Sequence, residues 1–85
     1  MSMMIREPIR VAVIFGPGRL IRPVWFEWRK RKHSITETCY MYGGYKGDAR
    51  LIYFSVRDGQ ALYELTYNLK EQSWLLERVE GEPCV

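Results

Sequence analysis

Leu51-Ile52-Tyr53-Phe54-Ser55-Val56-Arg57-Asp58-Gly59-Gln60-Ala61-Leu62-Tyr63-Glu64-Leu65-Thr66-Tyr67 is the stretch that decides how this chain folds. Two runs rich in β-branched and aromatic residues flank Asp58-Gly59, a dipeptide suited to a type I′ turn because both central residues accept positive φ. A two-residue turn there pairs Val56 with Ala61, Phe54 with Tyr63 and Ile52 with Leu65. These side chains share one face, while Tyr53, Ser55, Arg57, Leu62, Glu64 and Thr66 share the other. The segment therefore reads as an antiparallel hairpin with one face in a core.

Period-two patterning extends outward from this hairpin, and no stretch carries a long 3.6-residue pattern. Trp74 to Val79 is a further strand, after a turn over Asn68 to Ser73. Either Trp74 and Leu76 or Leu75 and Val79 face inward. On the N-terminal side, Gly43-Gly44-Tyr45-Lys46-Gly47-Asp48 reads as a mobile loop. Before it, a strand runs from His33 towards Tyr42. Pro23 to Trp28 is a strand, and Ile9 to Phe15 is another, stopped by Gly16-Pro17-Gly18. The expected fold is all-β: a six-stranded antiparallel meander curled into a small, partly open barrel or two-sheet roll, because so many apolar faces must cover one another. One domain spans residues 1–85, with its core over 9–79 and tails at 1–8 and 80–85. Three Trp, six Tyr and three Phe supply that core in few residues, each buried ring removing roughly 150–250 Å² from water.

The stretch between the second and third strands carries the candidate chemistry. Arg29-Lys30-Arg31-Lys32 separates the aromatic strand Val24-Trp25-Phe26-Glu27-Trp28 from His33-Ser34-Ile35. Pairing Trp28 with His33 puts Phe26 opposite Ile35 and Val24 opposite Glu37. Val24, Phe26, Trp28, His33 and Ile35 then face the core, and Trp25 is left to solvent or a partner. Cations on a hairpin tip reach phosphate oxygens without reading sequence, and a nearby Trp can stack on an unpaired base. The candidate contact set is Trp25, Arg29, Lys30, Arg31 and Lys32, with Tyr40, Tyr42, Tyr45 and Lys46 as a possible extension. A solvated turn accounts for the same charges, since basic clusters are common outside nucleic-acid binders.

Charge is uneven along the chain. Residues 1–50 hold ten Lys/Arg against four Asp/Glu, and residues 51–85 hold three against six. Only the first part would draw a polyanion.

Other chemistries find little support. Gly16-Pro17-Gly18 and Gly43-Gly44-x-x-Gly47 lack the Lys-Ser/Thr and the helix of a phosphate loop. His33, the single histidine, would need a partner and a cleft for acid–base work, and its face makes it a packing residue. Cys39 and Cys84 are too few for a disulfide framework, and with one His they do not make a zinc site. Glu27, Glu37, Glu64 and Glu77 form no pair motif. We therefore expect no enzyme activity, no cofactor and no metal. The N-terminus lacks a secretory signal, and no apolar run is long enough for a membrane helix, which points to a reducing cytoplasm and no membrane partner.

With the strands placed, Arg22-Pro23-Val24, Phe26-x-Trp28-Arg29, Arg50-x-x-Tyr53-Phe54-x-Val56, Tyr63-Glu64-Leu65 and Trp74-x-Leu76-x-Arg78-Val79 resemble a family of small bacterial domains of uncharacterised function. Relatives usually carry Trp-Arg-Gly-Arg and an aromatic at the tip, where this chain has Lys30 and His33. The likeness covers roughly residues 10–79 and implies a shared fold more than a shared activity. Relatives lie beside, or are fused to, proteins similar to translesion DNA polymerases, which implies a nucleic-acid setting. Two functions follow as expectations. The first is a binding module that meets nucleic acid, or an acidic or nucleic-acid-processing protein, through the Trp25/Arg29–Lys32 edge. The second is a protein-interaction or self-association module, a homodimer through a sheet edge or through exposed Trp25 or Leu62.

Overall fold

Residues 2–18 and 21–81 are described by a computed structural model, and they are arranged as strands and turns. The strands are β1 (Ser2–Phe15), β2 (Ile21–Trp28), β3 (Arg31–Ser34), β4 (Glu37–Lys46), β5 (Ala49–Arg57), β6 (Ala61–Asn68) and β7 (Ser73–Gly81). All are antiparallel in one sheet of order β3-β2-β1-β7-β6-β5-β4. Two meanders, β1-β2-β3 and β4-β5-β6-β7, are thus joined through β1, which pairs with β7 along its first half and with β2 along its second.

This corrects the expected six-strand meander in three ways. The strand expected from His33 to Tyr42 is broken at Ile35-Thr36 into β3 and β4. The expected mobile loop at Gly43–Asp48 is instead the end of a hairpin, with Lys46 paired to Ala49 across Gly47-Asp48. Residues 2–8, read as a tail, form the half of β1 that pairs with β7. At the other end, strand continues to Gly81, and the remainder of the expected tail, with Cys84, lies outside the described residues.

Strands β3 and β4 are the two edges of the sheet, yet only Ile35 and Thr36 separate them in sequence. Ile35 N–H donates to the Val24 carbonyl on β2 at 2.9 Å, and Thr36 N–H donates to the Arg57 carbonyl on β5 at 2.8 Å. The sheet must curl for one dipeptide to touch both. Among the described residues no ladder joins β3 to β4, so the sheet is not closed into a barrel.

The concave face holds the core: Phe26, Phe54, Val56, Tyr63, Leu65 and Leu76 are buried, with Ile5, Ile9, Val11, Ile52, Trp74 and Val79 packed against them. Burial of these apolar surfaces stabilises the curl at roughly 25 cal/mol per Å². The faces expected from period two are retained, but both hairpin registers move by two residues. Val56 pairs with Tyr63 and Phe54 with Leu65, leaving a connection of Asp58 to Ala61 in place of a two-residue turn. Trp28 pairs with Arg31 and Phe26 with His33, so the basic tip shrinks to Arg29-Lys30. An even shift keeps every side chain on its face, whereas a slip of one residue would exchange the faces.

Bulges account for the remaining departures. On β2 the register shifts between Ala12 and Val13, leaving Val24 as the extra residue. Pro23, not Val24, is consequently the buried neighbour of Phe26. On β7 the extra residue relative to β6 is Glu77, because Leu65 pairs with Leu76 and Glu64 with Arg78. That bulge lets Trp74, Leu76 and Val79 all face the core, which unbroken alternation forbids.

Candidate functional site

The tip begins with backbone geometry. Arg29 and Lys30 have φ of 52° and 64°, the left-handed values that both central residues of a type I′ turn require. This turn matches the right-handed twist of β2 and β3, which is why a two-residue connection closes the hairpin. Gly, which lacks Cβ, and Asn, whose short side chain bonds locally, take such conformations at least cost, while most other side chains pay about 1–2 kcal/mol.

The cations around the tip have different fates. Trp28 points to the concave side, and its Nε1–H donates to Glu7 Oε1 at 2.9 Å. Arg29 donates to Glu7 Oε2 at 3.1 Å and lays its guanidinium 4.6 Å from the centroid of the Trp28 ring. Arg29 and Trp28 together hold the Glu7 carboxyl below the usual carboxylate range. Arg29 is therefore engaged within the fold. Lys32 sits on the convex side, its ammonium 4.8 Å from the centroid of Trp25. Among the described residues the side chains of Lys30 and Arg31 make no hydrogen bond or ion pair, and both residues are exposed, with the Arg31 charge felt at the Tyr63 hydroxyl.

Cross-strand pairing then defines a small convex platform. Arg10 faces Glu27, Ala12 faces Trp25 and Ile14 faces Arg22 across β1 and β2, while Trp25 faces Ser34 and Glu27 faces Lys32 across β2 and β3. Directly opposed residues share a face, so Trp25 lies among Arg10, Arg22, Lys32 and the exposed Ile14. Its one acid, Glu27, is 3.5 Å from the Arg10 guanidinium. Sequence reasoning names Trp25 and Lys32 but not Arg10 and Arg22, because their place beside Trp25 depends on β1 being the neighbour of β2 and on the bulge at Val24. Tyr40, Tyr42, Tyr45 and Lys46 do not extend this platform by any ladder, since among the described strands β4 pairs with β5 alone.

His33 belongs to a constellation that sequence reasoning also missed. Its Nδ1 lies 2.9 Å from Asp58 Oδ2, and the Tyr63 hydroxyl donates to the same oxygen at 2.9 Å. An ionised carboxylate only accepts, so Nδ1 carries the proton. The 3.3 Å approach of Tyr63 Oη to Nδ1 then reflects two donors converging on one oxygen. Asp58 Oδ1 accepts from Gln60 N–H at 2.9 Å and Ala61 N–H at 3.0 Å. Burial opposes the Asp58 charge, but hydrogen bonds from His33, Ala61, Gln60 and Tyr63 outweigh it and hold the carboxyl at about 2. Burial, then the bond to Asp58 and its charge, push the Tyr63 hydroxyl up to about 12.

This group resembles the acid–histidine half of a catalytic triad, but it faces inward. The His33 ring stacks on Phe26 at 4.8 Å and 9°, and Nε2 is buried with no hydrogen-bond partner among the described residues. A general base must reach its substrate proton within hydrogen-bonding distance, and a sealed Nε2 offers no such reach. The constellation locks the β2–β3 hairpin to the β5–β6 turn.

A cleft of roughly 530 Å³ opens at the end of the concave face, lined by Phe15, Ile21, Met41, Ile52 and Leu69 with Arg50. Among the described residues no group of three or more His, Cys, Asp and Glu side chains is placed to hold a metal ion, and no helix is long and apolar enough to cross a membrane. No family model, curated protein or solved structure matches the chain. The family resemblance thus rests on the quoted residues alone.

Proposed function

We propose that this chain is a small, non-enzymatic, cytoplasmic binding module that contacts single-stranded nucleic acid through Trp25 and the Arg29–Lys32 tip, with Arg10 and Arg22 widening the surface. The observation that carries this reading is the tip itself. Two long basic side chains occupy left-handed positions that Asn-Gly would fill at lower cost. Strain of this kind gathers at functional sites. Lys30 and Arg31 are exposed at the tip, where phosphates can reach them, Arg29 aims the tip through Glu7, and Trp25 offers a ring at the centre of a basic face. A nucleic-acid setting also agrees with the resemblance to domains that accompany translesion-polymerase-like proteins.

The test is a titration with short single-stranded oligonucleotides across a range of salt. Binding should be present at low salt and fall as salt rises. Replacing Lys30 by Gly and Arg31 by Gln should reduce the slope of log affinity against log salt by about 0.7 per lost phosphate contact. Trp25→Ala should weaken binding by about 1–3 kcal/mol if one base stacks there. Absence of binding at low salt, or a slope unchanged in the double variant, rules the reading out.

A further inference from the structure

A different edge of the molecule is left open, at β4. β4 terminates the sheet, and among the strands only β5 has Cα atoms within 8 Å of it. Exposed sheet edges invite pairing, and proteins commonly blunt them with short strands or with charge. The other edge follows that rule, because β3 has only four residues and includes Arg31 and Lys32. β4 does not. It has ten residues, and from Thr38 to Tyr45 none is charged. Tyr40, Met41, Tyr42 and Tyr45 are 71%, 53%, 56% and 69% exposed.

The backbone fixes which groups are open. In the turn after β4, Gly47 has φ of 63° and Asp48 is not in the left-handed region, which is the type II′ pattern. Such a turn bonds the Lys46 carbonyl to Ala49 N–H, and hydrogen-bonded pairs alternate from there along the ladder. Lys46, Gly44, Tyr42 and Tyr40 therefore bond to β5. Met41, Gly43 and Tyr45 turn their N–H and C=O groups outward, to where the sheet has no strand.

We infer that β4 pairs antiparallel with β4 of a second copy of this chain, about a two-fold axis through Gly43, forming a homodimer with one continuous sheet. Outward-directed residues must meet outward-directed residues. Centring on Gly43 is the register that uses all three on both copies: Gly43 opposes Gly43, and Met41 opposes Tyr45. Tyr42 then faces Gly44 and Tyr40 faces Lys46, so no like charges oppose one another. The bulge at Cys39 ends the regular run just beyond Tyr40, which limits the pairing to residues 40–46. The occupant is a second copy because the segment is complementary to itself in this register. The Trp25 platform takes no part, so the dimer and the nucleic-acid reading stand or fall separately.

Substitution at the axis tests both the partner and the register. A Cβ at Gly43 meets nothing closer than the Leu51 carbonyl oxygen at 3.8 Å, so the monomer tolerates a side chain there. Gly43→Lys sets two like charges directly opposite each other, and so does Gly43→Glu. Sedimentation of the native chain from low to high micromolar concentration should show a monomer–dimer equilibrium. Each variant alone should be monomeric with an unchanged circular-dichroism spectrum, and an equimolar mixture of the two should dimerise again. Met41→Lys, on the same edge, provides a second monomeric variant. A native chain that stays monomeric, a Gly43→Lys protein that still dimerises, or variants that do not recover on mixing would each overturn the inference.

Discussion

At the scale of single residues, Asp58 ties the β2–β3 hairpin to the β5–β6 turn. Its carboxylate collects donors from His33, Tyr63, Gln60 and Ala61, and the balance against burial leaves its pKa at about 2. A depressed carboxyl stabilises the folded state above the unfolded value of about 3.9 and loses that contribution as pH falls through the folded one. The loss should amount to about 2 kcal/mol between roughly pH 4 and pH 2. Asp58→Asn should be less stable than the native chain near neutral pH by a similar amount and should lack this acid-dependent segment, as urea unfolding at a series of pH values would show. At the tip the effect runs the other way. Lys30 at φ 64° carries a penalty that Gly lacks, so Lys30→Gly should raise stability by about 1 kcal/mol while weakening oligonucleotide binding. A stabilised variant that binds less well is what a strained functional turn predicts. Asp58 was legible in the sequence only as a turn residue. Its bond to His33 spans 25 positions, and nothing local in either segment signals it.

At the scale of strands and hairpins, the sequence specified faces and left registers open. Alternation constrains register only up to an even shift, so Phe54, Val56, Tyr63 and Leu65 were correctly assigned to the core while their pairing was displaced by two. What closed the hairpins differently was local chemistry: the Asp58 side chain accepting from Gln60 and Ala61, and the I′ turn at Arg29-Lys30. Bulges were illegible for a related reason, since an extra residue breaks alternation without leaving a compositional mark. The pair Gly43-Gly44 misled for yet another reason, because glycines that punctuate loops can also leave room for a neighbour. A Cβ at Gly44 would lie 2.8 Å from Cε2 of Tyr53, whose ring stacks on Tyr42 at 4.9 Å. Gly44→Ala should therefore cost about 1–3 kcal/mol by displacing Tyr53, with thermal unfolding as the measure. Gly43→Ala, next to it, should leave stability nearly unchanged, because its Cβ has space.

At the scale of the molecule, the all-β class and the aromatic core followed from composition and period, but the strand order did not. Nothing in residues 2–8 marks them as half of a central strand. Met3, Met4 and Arg6 are exposed, and Pro8 is poor strand material. What holds them is distant: Met3 opposite Val79, Ile5 against the core, and Glu7 bonded to Trp28 and Arg29. Removing residues 1–8 should abolish the cooperative unfolding transition, where loss of a true tail would leave it intact. The double pairing of β1 also has a bearing on how the protein comes into being. During synthesis β1 leaves the ribosome first, and its second half can close a hairpin with β2 almost at once. Its first half must wait for a strand ending at Gly81. Until that strand emerges, the nascent chain carries an unsatisfied strand at the centre of its future sheet. The complete sheet therefore cannot form until this stretch has been translated, and a helper that shields β1 in the interval would act on the step where misassembly is easiest.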